Sequence, residues 1–278
     1  DLVPLGDGLV TADLDAGAVQ DTAGNGNAAT AATGMFRRTY DITRPEVVLS
    51  SSSPNPTNAA VMVSVSLSDS SPDFNEEGIT ATNGEVSGFS GSGSSYSFTL
   101  TPAEQGAFSC VVNENRFTDA AGNGNTASNQ LSVWFDSIPP SIEISAPSTE
   151  TTSTGPVEYI VTYRGASGED LAPADIHLVT TGDVDARVTV SDAGANAGDI
   201  AKKITLDHIT GEGSLAVSID AGTSWDDAGN FDTGIPVGAC PAVQVASDSQ
   251  VPVESLSGLT LLAAALILAA RKTLRRKT

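Results

Sequence analysis

A chain of 278 residues has room for two domains of about 100–150 residues, or for repeats followed by a tail. Only 5% of residues are aromatic, 40% are hydrophobic, and Gly, Ser, Thr, Ala and Val dominate, which suits thin, turn-rich β-domains and excludes a disordered chain. With 34 acidic against 13 basic side chains, the net charge of −21 excludes nucleic acid as a partner, and anionic lipid as a partner of the body.

The chain opens at Asp1 without an initiator Met or an export segment, and residues 1–44 read as the second half of a repeat. The expectation is a piece of a longer protein, with a signal peptide and earlier repeats ahead of it. Asp21-Thr22-Ala23-Gly24-Asn25-Gly26-Asn27 recurs as Asp119-Ala120-Ala121-Gly122-Asn123-Gly124-Asn125. A degraded copy comes later as Asp226-Asp227-Ala228-Gly229-Asn230-Phe231-Asp232. A second marker succeeds the first two copies: Tyr40-Asp41-Ile42-Thr43-Arg44-Pro45 and Phe135-Asp136-Ser137-Ile138-Pro139-Pro140. A period of about 100 residues is too long for a solenoid and fits one β-sandwich per period.

Within each period, apolar residues alternate with polar ones as a half-buried strand requires. Such runs are Val61, Val63, Val65 and Leu67; Tyr96, Phe98 and Leu100; Val157, Tyr159, Val161 and Tyr163; and Leu215, Val217 and Ile219. Clusters of Gly, Ser, Asn and Asp, as at Gly88–Ser95 and Asp192–Asp199, are expected to be loops between strands, with Gly91–Ser95 a flexible tip. No stretch before residue 255 carries a sustained helical stripe, so the body is all-β. The prolines at 45, 139 and 140 end strand pairing and stiffen the junctions. The organisation read from these signals is a truncated sandwich (1–44), a full one (45–138), a third (139–246) and a tail (247–278).

The repeated turn motif is the best candidate for a site. Its oxygens suit a hard cation such as Ca²⁺, which takes six to eight oxygen ligands. The candidate sets are Asp119, Asn123 and Asn125; Asp21, Asn25 and Asn27; and Asp227, Asn230 and Asp232. The same residues also make a metal-free hairpin turn, with Asp as the cap, Gly at positive φ and Asn in the left-handed region. Cys110 reads as a small buried strand residue and Cys240 lies near the end of the third repeat, with a bridge between them the alternative in an oxidising compartment. His177 and His208 read as isolated strand residues, and Trp134 and Trp225 as packing residues, with a sugar-stacking platform the alternative. No nucleophile elbow, Cys–His pair or phosphate loop is present, so no catalytic residue is assigned.

The tail changes character. From Leu256 to Ala270 there is no charge, and Leu256, Leu259, Leu261, Leu262, Leu266, Ile267 and Leu268 make it strongly apolar. Fifteen helical residues span only about 22 Å, against a bilayer core of about 30 Å. Adding residues 251–255 and letting Arg271 and Lys272 snorkel gives a marginal transmembrane helix. All 34 acidic residues lie at or before Glu254, whereas Arg271, Lys272, Arg275, Arg276 and Lys277 come after it. The basic end is therefore expected in the cytoplasm and the body on the opposite side.

Residues Phe74 to Asn125, with Gly78-Ile79-Thr80-Ala81-Thr82-Asn83-Gly84 and Phe117-Thr118-Asp119-Ala120-Ala121-Gly122-Asn123, resemble bacterial Ig-like repeats of large surface proteins. Ile176–Gly182, Ile209–Leu215 and Ala228–Asn230 resemble a sister type of such repeats. The resemblance implies tandem immunoglobulin-like β-sandwich domains in a structural or adhesive setting, with no common active site. Val251-Pro252-Val253-Glu254-Ser255-Leu256-Ser257, the short apolar helix and the basic end resemble sorting tails of the Ile-Pro-Thr-Leu-Ser class, processed by exosortase-like enzymes; the second Pro of the related Pro-Glu-Pro class is absent and the Leu-Ser pair is displaced. The two resemblances together imply an exported stalk or adhesive segment. Such a chain is held at least transiently in the inner membrane by residues 256–270, is sorted at Val251-Pro252, and then reaches the cell surface, where it meets a surface or matrix ligand. Alternatives are the non-catalytic C-terminal part of a large exported hydrolase, and a calcium-dependent adhesin.

Overall fold

The computed structural model describes residues 3–31 and 35–247. It divides into two compact units, one comprising Asp1–Ile138 with Asp227–Gly229, the other Pro139–Asp226 with the residues from Asn230. The sorting motif at Val251-Pro252, the helix expected over 256–270 and the basic cluster from Arg271 lie outside the described residues. Among the described residues no helix is long and apolar enough to cross a membrane.

The first unit begins with a two-stranded antiparallel ribbon, β1 (Gly8–Ala12) against β2 (Phe36–Tyr40). A sandwich comes next. One sheet orders β3 (Val47–Ser50), β4 (Val61–Ser71) and β6 (Gly84–Pro102). The facing sheet orders β5 (Ile79–Thr82), β7 (Gly106–Val112) and β8 (Leu131–Phe135). The alternation read from the sequence is the alternation observed: Val61, Val63, Val65 and Leu67 are buried, and Met62 between them is exposed. Tyr96, Phe98 and Leu100 face them from β6, and Phe108, Cys110, Val112 and Val133 close the core from the other sheet. Each fully buried Val or Leu here stabilises the fold by about 1.5–3 kcal/mol relative to exposure. Cys110 is 1% exposed, and burial pushes its thiol pKa up to about 11, so it serves as an inert core residue. Both cysteines are free and buried.

Two features depart from the sequence reading. Gly88–Ser95 is not a loop but the middle of β6, which folds back on itself so that the Ser90 and Ser97 hydroxyls lie 3.2 Å apart. Gly91 (φ +130°) makes this possible, since a Cβ there would lie 2.4 Å from the Ser95 carbonyl oxygen. A cluster of Phe74, Phe89, Tyr96 and Phe117 plugs one end of the core, with Phe74 edge-on to Tyr96 at 5.1 Å. Its members come from three segments, with Phe89 and Tyr96 both on β6, so no local pattern announces it.

The second unit holds a larger sandwich. β9 (Ser141–Ile144), β10 (Thr151–Thr152), β11 (Val157–Arg164), β12 (Gly168–Glu169), β13 (Ile176–Gly182) and β14 (Asp185–Asp192) form its first half. β15 (Asp199–Thr210), β16 (Gly213–Ile219), β17 (Ser224–Trp225) and β18 (Val243–Val245) complete it. The sheets order β14-β15-β11-β9 and β10-β18-β16-β13, with a small β12-β17 ribbon beside them. Val157, Tyr159, Val161 and Tyr163 are fully buried, and the Tyr163 hydroxyl bonds Thr223 at 2.9 Å. The only helical turns among the described residues are the three-residue segments Glu76–Gly78 and Pro173–Asp175, so the described chain is all-β.

Candidate functional site: the repeated turn

The three copies of the motif fold alike. In the second, Asp119 Oδ1 accepts from the Ala121 and Asn123 amides at 2.8 and 2.9 Å. Asp119 Oδ2 accepts from the Asn123 side-chain amide at 2.9 Å. Gly122 takes φ +94°, and Thr118 and Gly124 bridge as a minimal antiparallel pair. The first copy repeats this, with Asp21 Oδ1 accepting from Ala23 and Asn25 and Oδ2 from the Asn25 side chain, each at 2.9 Å, and Gly24 at φ +89°. In the third copy the capping carboxylate is that of Asp226, which accepts from the Asn230 amide at 2.8 Å and the Asn230 side chain at 2.9 Å. The Asp227 named from the sequence occupies the variable second position. The doubled Asp hid a one-residue slip, and the four-residue spacing from cap to Asn identifies Asp226.

Asn is not here for left-handed backbone, as none of Asn25, Asn27, Asn123, Asn125 and Asn230 has positive φ. Its side-chain amide is what the motif uses. Asn125, 0% exposed, is the clearest case. Its Oδ1 accepts from the Arg116 and Phe117 amides at 2.6 and 3.1 Å, and its Nδ2 donates to the Asn113 and Thr126 carbonyls at 2.9 and 2.7 Å. One side chain thereby closes the whole 113–126 loop. Asn27 does the same more openly, with Oδ1 on the Val19 amide and Nδ2 on the Asp15 and Ala28 carbonyls. Asp232 fills this place in the third copy, accepting from the Ser224 and Gly234 amides at 2.5 and 2.8 Å. Gly124 precedes Asn125 because a Cβ there would lie 2.4 Å from Asn115 Oδ1.

The proposed cation ligands are thus brought together as donor–acceptor pairs. Burial pushes the Asp119 carboxyl up, but the Asn123 and Ala121 N–H groups outweigh it and hold it below the usual range. Asn125 points its oxygen away, at backbone amides. Among the described residues no three His, Cys, Asp or Glu side chains sit together as a metal site. This geometry satisfies the Asp119 carboxylate and the Asn125 side chain with groups of the loop itself.

The second turn also receives the chain that enters the sandwich. Arg44 donates from Nε to the Gly124 carbonyl at 2.7 Å and from Nη2 to the Asn125 carbonyl at 2.6 Å and Asn115 Oδ1 at 3.0 Å. Asn123 Nδ2 reaches the Asp41 carbonyl at 3.1 Å, and the Thr126 amide donates to the Pro45 carbonyl at 2.9 Å. The linker is preset: Asp41 Oδ1 accepts from the Thr43 amide and Asp136 Oδ1 from the Ile138 amide, both at 2.9 Å, so the second sequence marker is an Asx turn in both copies. Asp7 caps Ile42 at 2.7 Å and Gln105 caps Ser137 at 2.9 Å in the same manner. From the far side, Asp73 accepts from the Thr118 amide at 2.8 Å and hydroxyl at 3.1 Å. The sequence singled out neither Arg44 nor Asp73, whose partners in this turn lie 45 or more residues away. The available signal was the place of Arg44 inside a recurring marker.

The other candidates are plain. His177 Nε2 lies 3.0 Å from Asp220, and His208 Nδ1 2.9 Å from Asp207. Trp134, expected to pack, is 55% exposed because β8 alternates and Val133 takes the inward place. Trp225 is half-buried and lies over Gly168, where a Cβ would meet its ring at 2.6 Å.

No curated protein matches the chain. Among solved structures, the crystal structure of invasin, described as a bacterial integrin-binding protein, shares 13% identity at a TM-score of 0.36, covering 76% of this chain and 56% of that one. The Yersinia pseudotuberculosis adhesin InvE shares 17% identity at a TM-score of 0.24, covering 69% and 59%. The chain spans less than two thirds of either. A family model described as a bacterial Ig-like domain matches residues 41–134, the stretch holding β3 to β8 and the second turn motif. Residues 41–134 are therefore a bacterial Ig-like domain.

Proposed function

We propose that this chain is a structural stalk, or the stalk of an adhesive segment, in an exported bacterial surface protein. The observation that supports it is the junction: an arginine and an asparagine amide tie the linker 41–45 to the 119–125 turn through backbone carbonyls. Such contacts use no variable side chain of a ligand surface. They fix how one module is handed to the next, which is what a chain of repeats requires. The truncated (1–44), full (45–138) and third (139–246) repeats are the modules of this reading. In the same reading, residues 256–270 hold the chain in the inner membrane, and Val251-Pro252 marks where an exosortase-like enzyme processes it. Supporting that are the uncharged apolar run and the five basic residues after it. Protease shaving of intact cells, with mass spectrometry of the C-terminus, tests the proposal. Surface-released peptides from 45–246 and a mature end near residue 252 are expected. Confinement of those peptides to the lysate would overturn it.

A further inference from the structure

The β1–β2 ribbon reproduces the β7–β8 pair residue for residue. Gly8 faces Tyr40 as Gly106 faces Phe135, and Val10 faces Arg38 as Phe108 faces Val133. In the second sandwich this face is closed: Phe108 and Cys110 are 1% exposed and Val133 6%, covered by the β3–β4–β6 sheet. In the ribbon the same face is open. Pro4, Val10, Phe36, Arg38 and Tyr40 line a groove of about 500 Å³, and Phe36 is 50% exposed. Two strands alone bury too little to be stable in water. One substitution sets the face apart: Arg38 stands where Val133 is buried, so whatever covers it must offer a carboxylate or lose stability.

We infer that the apolar face of the β1–β2 ribbon seats the front half of an Ig-like sandwich, strands equivalent to β3 through β6 with a carboxylate opposite Arg38. These strands are carried ahead of the ribbon on the same polypeptide, as β3–β6 are carried ahead of β7–β8. The joint is at Asp7, which caps its outgoing linker as Gln105 caps the next one. The inference rests on the repeat reading above, and specifies what the first module lacks and the charge its cover carries.

The test is a hybrid chain in which a duplicate of residues 45–104 replaces residues 1–6, so that the duplicated Glu104 leads directly into Asp7, the counterpart of Gln105. Hydrogen exchange at the Val10 and Phe36 amides is compared with that in the parent chain. Protection is expected to rise more than about a hundredfold, while the native 45–138 domain stays unchanged. Replacing Arg38 with Val in the hybrid should raise it further, because the buried core residues of β3, β4 and β6 offer no carboxylate, and Phe36→Asp should abolish it. Parent-like exchange at Val10 and Phe36, or an unprotected duplicate, would overturn the inference. Neither result bears on surface exposure of the chain, so failure here and failure of the stalk reading are distinguishable.

Discussion

Replacing Asn125 with Ala removes the side chain that closes the 113–126 loop. Four backbone groups lose their partner: the Arg116 and Phe117 amides and the Asn113 and Thr126 carbonyls. A buried group left unsatisfied costs about 1–3 kcal/mol, and water can reach some of these four once the side chain is gone. The expected loss is roughly 3 kcal/mol, a large share of the ~5–15 kcal/mol that stabilises a domain of this size. Cys110 reports on this domain alone. It lies in the core of the second sandwich, 1% exposed, and its raised pKa keeps it unreactive while folded. Pulsed thiol labelling across a urea series, read by mass spectrometry, separates it from Cys240 in the other unit. The Cys110 midpoint should fall by about 1–3 M urea, and the Cys240 midpoint should stay. Asn27→Ala, which removes equivalent bonds from a half-exposed loop, should leave the Cys110 midpoint in place. A loss below about 1 kcal/mol for Asn125→Ala would refute the assignment of this asparagine as the closure of the loop.

Further predictions rest on separate features. The Thr118 amide, with Ser71 and the Thr118 hydroxyl, holds the Asp73 carboxyl below its ordinary value against the effect of burial. Its contribution is therefore present above the unfolded carboxyl range and is lost as pH falls through the lower folded value. Urea midpoints by circular dichroism should drop below about pH 4, and Asp73→Asn should flatten that part of the profile. Gly91→Ala should cost about 3 kcal/mol, because the new Cβ meets the Ser95 carbonyl, whereas Gly93→Ala, with nothing within 4 Å, should cost about 1 kcal/mol. Millimolar calcium should leave the thermal midpoint of the 45–138 domain unchanged, because the Asp119 oxygens already accept three N–H groups. A calcium-dependent rise abolished by Asp119→Ala would establish the cation site instead.

The strands were legible because a half-buried strand writes its two faces into the chain. Val61 to Leu67 and Val157 to Tyr163 alternate in sequence and in burial alike. The repeat was legible because each turn demands one Asp, one Gly and one Asn at fixed spacing. What the sequence hid was anything built across distance. The Arg44 clamp joins residues 80 apart, and the Phe74 cluster gathers three segments. Gly88–Ser95 misled because glycine and serine mark loops and equally mark a strand that must fold tightly back on itself. Asp227 misled because two adjacent carboxylates offer the same chemistry, and only the cap geometry chooses between them. The oxygen-rich motif reads equally as a cation site and as a turn, because the sequence does not show that the Asp119 carboxylate accepts three N–H groups of the turn itself.

The central claim is that the repeated turn seats the linker between modules, and backbone ¹⁵N relaxation tests it most directly. In the parent chain, residues 8–12 and 36–40 should share the rotational correlation time of the 45–138 domain. In the Arg44→Ala, Asn123→Ala double variant they should reorient faster, with the domain itself still folded. Fast, independent motion of the ribbon in the parent, or no change in the double variant, would contradict the account.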